Sequence, residues 1–256
     1  MNKIEKAFDG KKAFIAFITG GDPDIETTEK LIIAMAHSGV DIIEIGIPFS
    51  DPVAEGIVIQ EADERALANG CTVDKLFDMV ERVRGKIDIP LLFMSYVNPI
   101  FVYGKERFMK KCKSCGIDGI IVPDLPYEER DELEAVCKEH EIAQIFMIAP
   151  TSGDRAETIA ETAEGFIYCV SSMGVTGMRS DIDTSIAELI QNLKKISSVP
   201  CAVGFGISTP QQAKKMAALS DGIIVGSAIV KLVAKYGRDC IDPVKRFIES
   251  MINELA

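Results

Sequence analysis

The sequence has 256 residues, 47% hydrophobic and 26% charged, with a formal net charge of −11 at pH 7. That balance belongs to an ordinary globular chain and excludes a disordered one. A chain this acidic repels nucleic acid and anionic membrane surfaces, so neither is expected as a partner, and an anionic ligand must be recognised locally.

No Ser/Gly-rich or Pro-rich tract interrupts the chain, which reads as one domain over residues 1–256. The amino-terminal dozen residues are charged throughout and offer no signal-peptide core. Apolar runs further on reach about 5 to 8 residues, against roughly 20 for a bilayer-spanning helix. A cytoplasmic protein is expected.

In chain order, β-branched apolar runs lie at 13–19, 41–45, 90–96, 119–123, 144–149, 165–171, 201–204 and 222–225. Continuous rather than alternating apolar character predicts strands buried on both faces. Helical patterns fall between them. Val73, Leu76, Phe77, Val80 and Val83 form one apolar stripe, and Ile186, Leu189, Ile190 and Leu193 another. Gly39 and Gly85 follow the last periodic residues of two helices, as left-handed caps do. Ser208, two residues before Pro210, reads as an N-cap. Eight alternations of strand and helix favour a closed parallel (β/α)8 TIM barrel, with a doubly wound open sheet as the alternative.

The sequence has seven cysteines and two histidines, the residue types that ligate transition metals. Cys112 and Cys115 form a CxxC, but no second pair completes a zinc site, and the spacing fits one face of a helix ending at Gly116. Cys137, Cys169 and Cys201 sit in apolar or helical contexts. His37 and His140 fall near helix ends, where a histidine favours the negative terminus. No metal site is expected.

Glycine motifs follow the late strands: 174–177 (GVTG), 204–208 (GFGIS) and Val225-Gly226-Ser227. The last two stand after the seventh and eighth strands, where barrels often bind phosphate on backbone amides and a helix N-terminus. Glu44 falls inside an otherwise apolar strand, where desolvation favours its protonated form and suits it to proton transfer near neutral pH. Glu55 lies in the loop that follows and, taken alone, reads as an exposed acid.

The run Glu44-Ile45-Gly46-Ile47-Pro48-Phe49-Ser50-Asp51-Pro52 closely resembles the signature of the tryptophan synthase alpha subunits. So do Asn98-Pro99-Ile100-Phe101, Val122-Pro123-Asp124-Leu125-Pro126, Ala149-Pro150-Thr151-Ser152 and Gly174-Val175-Thr176-Gly177, in order along nearly the whole chain. The resemblance implies a retro-aldol cleavage of indole-3-glycerol phosphate to indole and glyceraldehyde 3-phosphate. It implies no cofactor in this chain, and a beta subunit carrying pyridoxal phosphate that receives the indole in an α2β2 complex. By position, Glu44 is the acid that moves protons and Glu55 the carboxylate that holds the indole N–H. Phe17, Tyr96 and Phe205 match the ring pocket, Tyr168 the tyrosine beside the catalytic acid, and Thr176 a threonine that meets the second acid on closure. Gly177, Gly206, Gly226 and Ser227 match the phosphate donors, and Asp51, Asn98 and Phe101 the face toward the beta subunit.

Besides Ser171-Ser172-Met173 before the threonine loop, two positions depart from the family pattern: Glu55 stands where aspartate is usual, and Ile57 where proline is common. They leave open an alpha-like subunit that mainly binds and activates its partner. A metal-dependent sugar-phosphate isomerase or epimerase is a further alternative, disfavoured by the placement of the histidines.

Overall fold

In the computed structural model, residues 2–170, 179–204 and 206–255 are described, those of 179–184 by backbone alone. A four-residue helix, α1 (Lys3–Lys6), precedes the strands β1 (Ala13–Thr19), β2 (Ile42–Gly46), β3 (Leu91–Met94), β4 (Gly119–Ile121), β5 (Ala143–Ile145), β6 (Met147–Ile148), β7 (Ile167–Val170), β8 (Cys201–Gly204) and β9 (Gly222–Val225). Neighbouring strands are parallel, in the order β5-β4-β3-β2-β1-β9-β8-β7-β6. The run at 144–149, expected as one strand, is split around Phe146. Its first half pairs with β4 and its second with β7, and the Phe146 carbonyl accepts the Tyr168 N–H at 3.1 Å. The two halves therefore close the circle between them, and the architecture is the expected (β/α)8 barrel.

Helices coat the outside. After β1 comes α2 (Ile25–His37), after β2 α3 (Ile57–Ala68) and α4 (Val73–Arg84), and after β3 α5 (Val97–Tyr103) and α6 (Lys105–Cys115). The circuit continues with α7 (Asp131–Glu139), α8 (Arg155–Thr162), α9 (Arg179–Ile196), α10 (Pro210–Leu219), α11 (Ser227–Tyr236) and α12 (Ile241–Ile252). Among the described residues no helix is long and apolar enough to cross a membrane.

Strand parity explains the unbroken apolar runs. Ile15, Ile42, Leu92, Ile121, Tyr168 and Ile224 face inward and pack together in the barrel. Their neighbours Phe14, Ile43, Phe93, Ile120 and Ile223 face outward under the helices. Each residue of β1, β2, β8 and β9 is consequently buried, whichever way it points. Ile4 of α1 and Phe8 plug the amino-terminal end of the interior.

That end is also clamped by aspartates. Asp41, Asp118 and Asp221 immediately precede β2, β4 and β9 or lie within two residues of them. Each accepts a backbone N–H from an adjacent strand, at Phe14 (2.8 Å), Leu91 (2.9 Å) and Cys201 (2.9 Å). Each is also paired with a cation, Lys11, Arg84 or Lys194. A hydrogen bond to a charged group contributes on the order of 1–2 kcal/mol, so the clamps hold strands in register far from the site.

Local signals were mixed in value. Gly39 is left-handed, with φ of +92°, as is Gly116 at the end of α6. Gly85 is not: its φ is −68°, so that cap does not require glycine. The N-cap of α10 is Thr209 rather than Ser208. Thr209 accepts the Gln212 N–H at 3.3 Å, while the Gln212 side chain accepts the Ser208 and Thr209 N–H groups. The capping box needs a partner three residues on, and only Thr209 has that spacing to Gln212. Cys112 and Cys115 lie on the buried face of α6, and burial pushes both thiols up, Cys115 to about 11. Metal or redox chemistry needs the thiolate, which this setting disfavours.

Candidate active site

A cavity of about 450 Å³ opens at the carboxyl ends of the strands. Its wall continues the inner parity of the barrel one layer up: Phe17 from β1, Met94 from β3, Met147 from β6, Tyr168 from β7 and Ile224 from β9. Glu55, Ile59 of α3, Gly206, Gly226 and Ser227 complete the lining. Glycine gives this wall its room. A Cβ at Gly204 would stand 2.7 Å from the Tyr168 hydroxyl, and one at Gly46 would stand 2.7 Å from the Phe17 ring. Gly206 is left-handed, with φ of +71°. Gly226 precedes the first turn of α11, whose leading N–H groups have no partner within the helix. These amides and the positive helix end can take an anion.

Glu44 lies opposite Phe17 and Leu92 in the sheet register, on the inner face. It is 0% exposed, and among the described residues neither carboxyl oxygen has a hydrogen-bond partner. Desolvation alone pushes its pKa to about 8, so the group is a neutral acid at pH 7. Tyr168 is raised too, by burial first and then by the neighbouring charges of Glu44 and Glu55.

Glu55 is held by a tyrosine. The Tyr96 hydroxyl donates to a Glu55 carboxyl oxygen and accepts the Val53 and Ala54 N–H groups at 3.0 and 2.8 Å. Gln60 fixes the Glu55 carbonyl from α3 at 2.8 Å. Burial raises the Glu55 carboxyl, with the charge of Asp124 adding to the shift and backbone N–H groups opposing it. Tyr96, matched in sequence to the ring pocket, stands behind Glu55 with its ring 5.3 Å from that of Phe49. It is a strut for the loop in this arrangement.

Of the other expected site residues, Phe17, Tyr168, Gly206, Gly226 and Ser227 come together on the cavity wall with Glu55. Thr176, Gly177 and Phe205 lie outside the described residues. Asp51, Asn98 and Phe101 fall on the loops and helix after the adjacent strands β2 and β3, all exposed. Val53, Ile57 and Val102 are exposed on the same two connections.

One acid escaped the sequence reading. Asp63 is only 5% exposed and is pushed to about 7, by burial first and then by the charge of Glu55, against the opposing pull of the Phe49 N–H. Its signal was readable: it interrupts the buried stripe of Ile59, Ala62 and Ala66 on α3. Nearby, Asp22 binds Arg65 through two hydrogen bonds of 2.9 and 2.8 Å and so pins α3 to the loop after β1.

A closed parallel barrel with a neutral acid in its interior, and with a second acid and the leading amides of a helix lining one cavity, is the plan of a β/α-barrel enzyme. The family model for the tryptophan synthase alpha chain matches residues 4–255. A tryptophan synthase alpha chain of Caldanaerobacter subterraneus subsp. tengcongensis is 48% identical over 258 aligned positions, 98% of each chain. The crystal structure of a tryptophan synthase alpha chain from Legionella pneumophila is similar at a TM-score of 0.89 and 34% identity, covering 100% of this chain and 97% of that one. In a tryptophan synthase complex from Pyrococcus furiosus the match has a TM-score of 0.86 and 33% identity, covering 95% and 98%. The chain belongs to the tryptophan synthase alpha chain family, and it is an enzyme of tryptophan biosynthesis. The function of that family is cleavage of indole-3-glycerol phosphate.

Asp63 makes a stability test. The folded chain keeps its proton up to about pH 7, whereas an unfolded aspartate releases it near its ordinary value of 3.8. A raised acid gives stability that is present at low pH and lost as pH rises through that window. Asp63→Asn should therefore gain stability relative to the parent by on the order of 2 kcal/mol between pH 5 and pH 8.5, measured by urea unfolding. A difference independent of pH would mean that Asp63 is ionised throughout.

Proposed function

We propose that this chain is a carbon–carbon lyase that cleaves indole-3-glycerol phosphate with its own side chains alone, Glu44 moving the protons. The observation that carries the reading is a carboxyl group on the inner face of the barrel, without hydrogen-bond partners among the described residues and neutral at pH 7. The indole ring fits the apolar wall of Phe17, Met94, Met147 and Ile224, and the phosphate fits the turn at Gly206 with the start of α11 at Gly226 and Ser227. Thr176, Gly177 and Phe205 complete the ring and phosphate contacts in the same reading.

Glu44 starts as the acid. Its proton goes to indole C3, and the ring nitrogen takes up positive charge that the Glu55 carboxylate stabilises through the N–H. The Glu44 carboxylate then accepts the proton of the glycerol hydroxyl next to the ring. The carbon–carbon bond breaks, its electron pair restores the aromatic indole, and the aldehyde of glyceraldehyde 3-phosphate forms. Glu44 ends protonated, as it began. Because it is fully covered, its carboxyl must turn toward the cavity to reach the ring. Tyr168, close enough to feel the charges of both acids, borders that path.

The exposed face around Asp51, Asn98 and Phe101, with the apolar Val53, Ile57 and Val102, is the docking side for a beta subunit in an α2β2 complex. Pyridoxal phosphate belongs to that partner. Exposed apolar side chains clustered on one end support an interface, as does the similarity to a solved tryptophan synthase complex. Seven free, buried thiols suit a reducing cytoplasm.

Indole release by the purified chain tests the roles. Glu44→Gln should keep the far-ultraviolet circular dichroism of the parent and lose activity by about 10³-fold or more. Retention of most of the activity would remove Glu44 from the reaction. In the same assay Glu55→Ala should lose about a hundredfold, while Glu55→Asp keeps or raises the rate despite a shift of about an ångström in the carboxylate. An unchanged Glu55→Ala variant would reduce Glu55 to a loop acid.

A further inference from the structure

The backbone donors at Gly206, Gly226 and Ser227 bring direction to a bound phosphate but no full charge. In a chain of net charge −11, with Glu55 on the same cavity wall, a dianionic group meets a negative field. One described cation lines that cavity, Lys231. It lies on α11, four residues after Ser227, so both side chains fall on one face of the helix, one turn apart. Lys231 is exposed at the rim, and among the described residues it makes no ion pair or hydrogen bond. Three lysines at the opposite end of the barrel are engaged: Lys11 with Asp41, Lys12 with the Ser220 carbonyl and Lys194 with Asp221. A free ammonium beside the leading amides of α11 is a mobile point charge with three donors, suited to a phosphate held on those amides.

We propose that Lys231 is a substrate-binding residue that pairs with the phosphate of the substrate from the open side of the cavity and so selects phosphorylated ligands. The inference rests on the reading of the cavity as the site of indole-3-glycerol phosphate cleavage. Lys231 lies on α11, after β9, whereas Glu44 lies on β2, and its contribution falls on binding, the same in ground and transition states. Losing it raises KM and leaves kcat nearly as it was.

The test uses Lys231→Met, which keeps the apolar stem without the charge, and Lys231→Arg. For Lys231→Met, KM for indole-3-glycerol phosphate should rise about five- to tenfold with kcat within about twofold, the range for a solvent-reachable charge-assisted contact. The inhibition constant of glycerol 3-phosphate should rise by the same factor, while the affinity for indole, which has no phosphate, stays unchanged. Lys231→Arg should restore both phosphate-dependent values. Unchanged KM and glycerol 3-phosphate inhibition in Lys231→Met would overturn the proposal, as would equal losses for glycerol 3-phosphate and indole, which would mark a general change in the cavity. Should the parent release no indole, the cleavage reading fails by itself. Calorimetric titration of parent and Lys231→Met with glycerol 3-phosphate then decides the lysine separately, a weaker affinity in the variant supporting it and an equal affinity overturning it.

Discussion

A carboxyl group shut inside a barrel, with no hydrogen-bond partner among the described residues, has two choices: remain neutral, or carry a charge that the interior does not solvate. For Glu44 the first is far cheaper, and its pKa near 8 expresses that. The parity of β2 puts it there, since Ile42 and Gly46 share its face while Ile43 and Ile45 turn toward the helices. Slipping the strand by one residue would send the acid outward and leave the proposed mechanism without its proton donor. The chemistry of the molecule therefore hangs on the register of one strand.

Much of the remaining structure protects that register. Asp41 ties the start of β2 to β1 through the Phe14 N–H and is itself paired with Lys11. Asp118 and Asp221 repeat the device around the amino-terminal end. At the other end, small residues make room for large ones: Gly46 for Phe17 and Gly204 for Tyr168. The loop after β2 is fastened by the Tyr96 hydroxyl, which joins the backbone at Val53 and Ala54 to the Glu55 carboxyl. Stability is concentrated below the site and adaptability above it, the usual division of a β/α barrel.

The strands were legible because burial on both faces leaves a continuous apolar signature, and Glu44 was legible as its one violation. Glycine turns after late strands pointed to the anion site for the same reason, a residue type that the backbone demands. What stayed hidden depends on partners remote in sequence. The clamp of Asp41 on Phe14 looks like a loop acid until β1 and β2 are paired. Tyr96 reads as a pocket aromatic, and its role as a strut appears only when the loop folds over it. Asp63 could have been found, because an acid among Ile59, Ala62 and Ala66 breaks a buried stripe as plainly as Glu44 breaks its strand. The split at Phe146 had no local signal, since it arises from closing the circle between β4 and β7.

The neutral state of Glu44 in the folded chain can be measured directly. Carboxyl-carbon NMR of the chain with labelled glutamate, with the Glu44 resonance assigned by its absence in Glu44→Gln, gives the protonation midpoint of that one group. A midpoint near 8 is the result this structure predicts. A midpoint near 4.5, the ordinary glutamate value, would mean that the acid is solvated and ionised at neutral pH, and that proton delivery to the ring has another source.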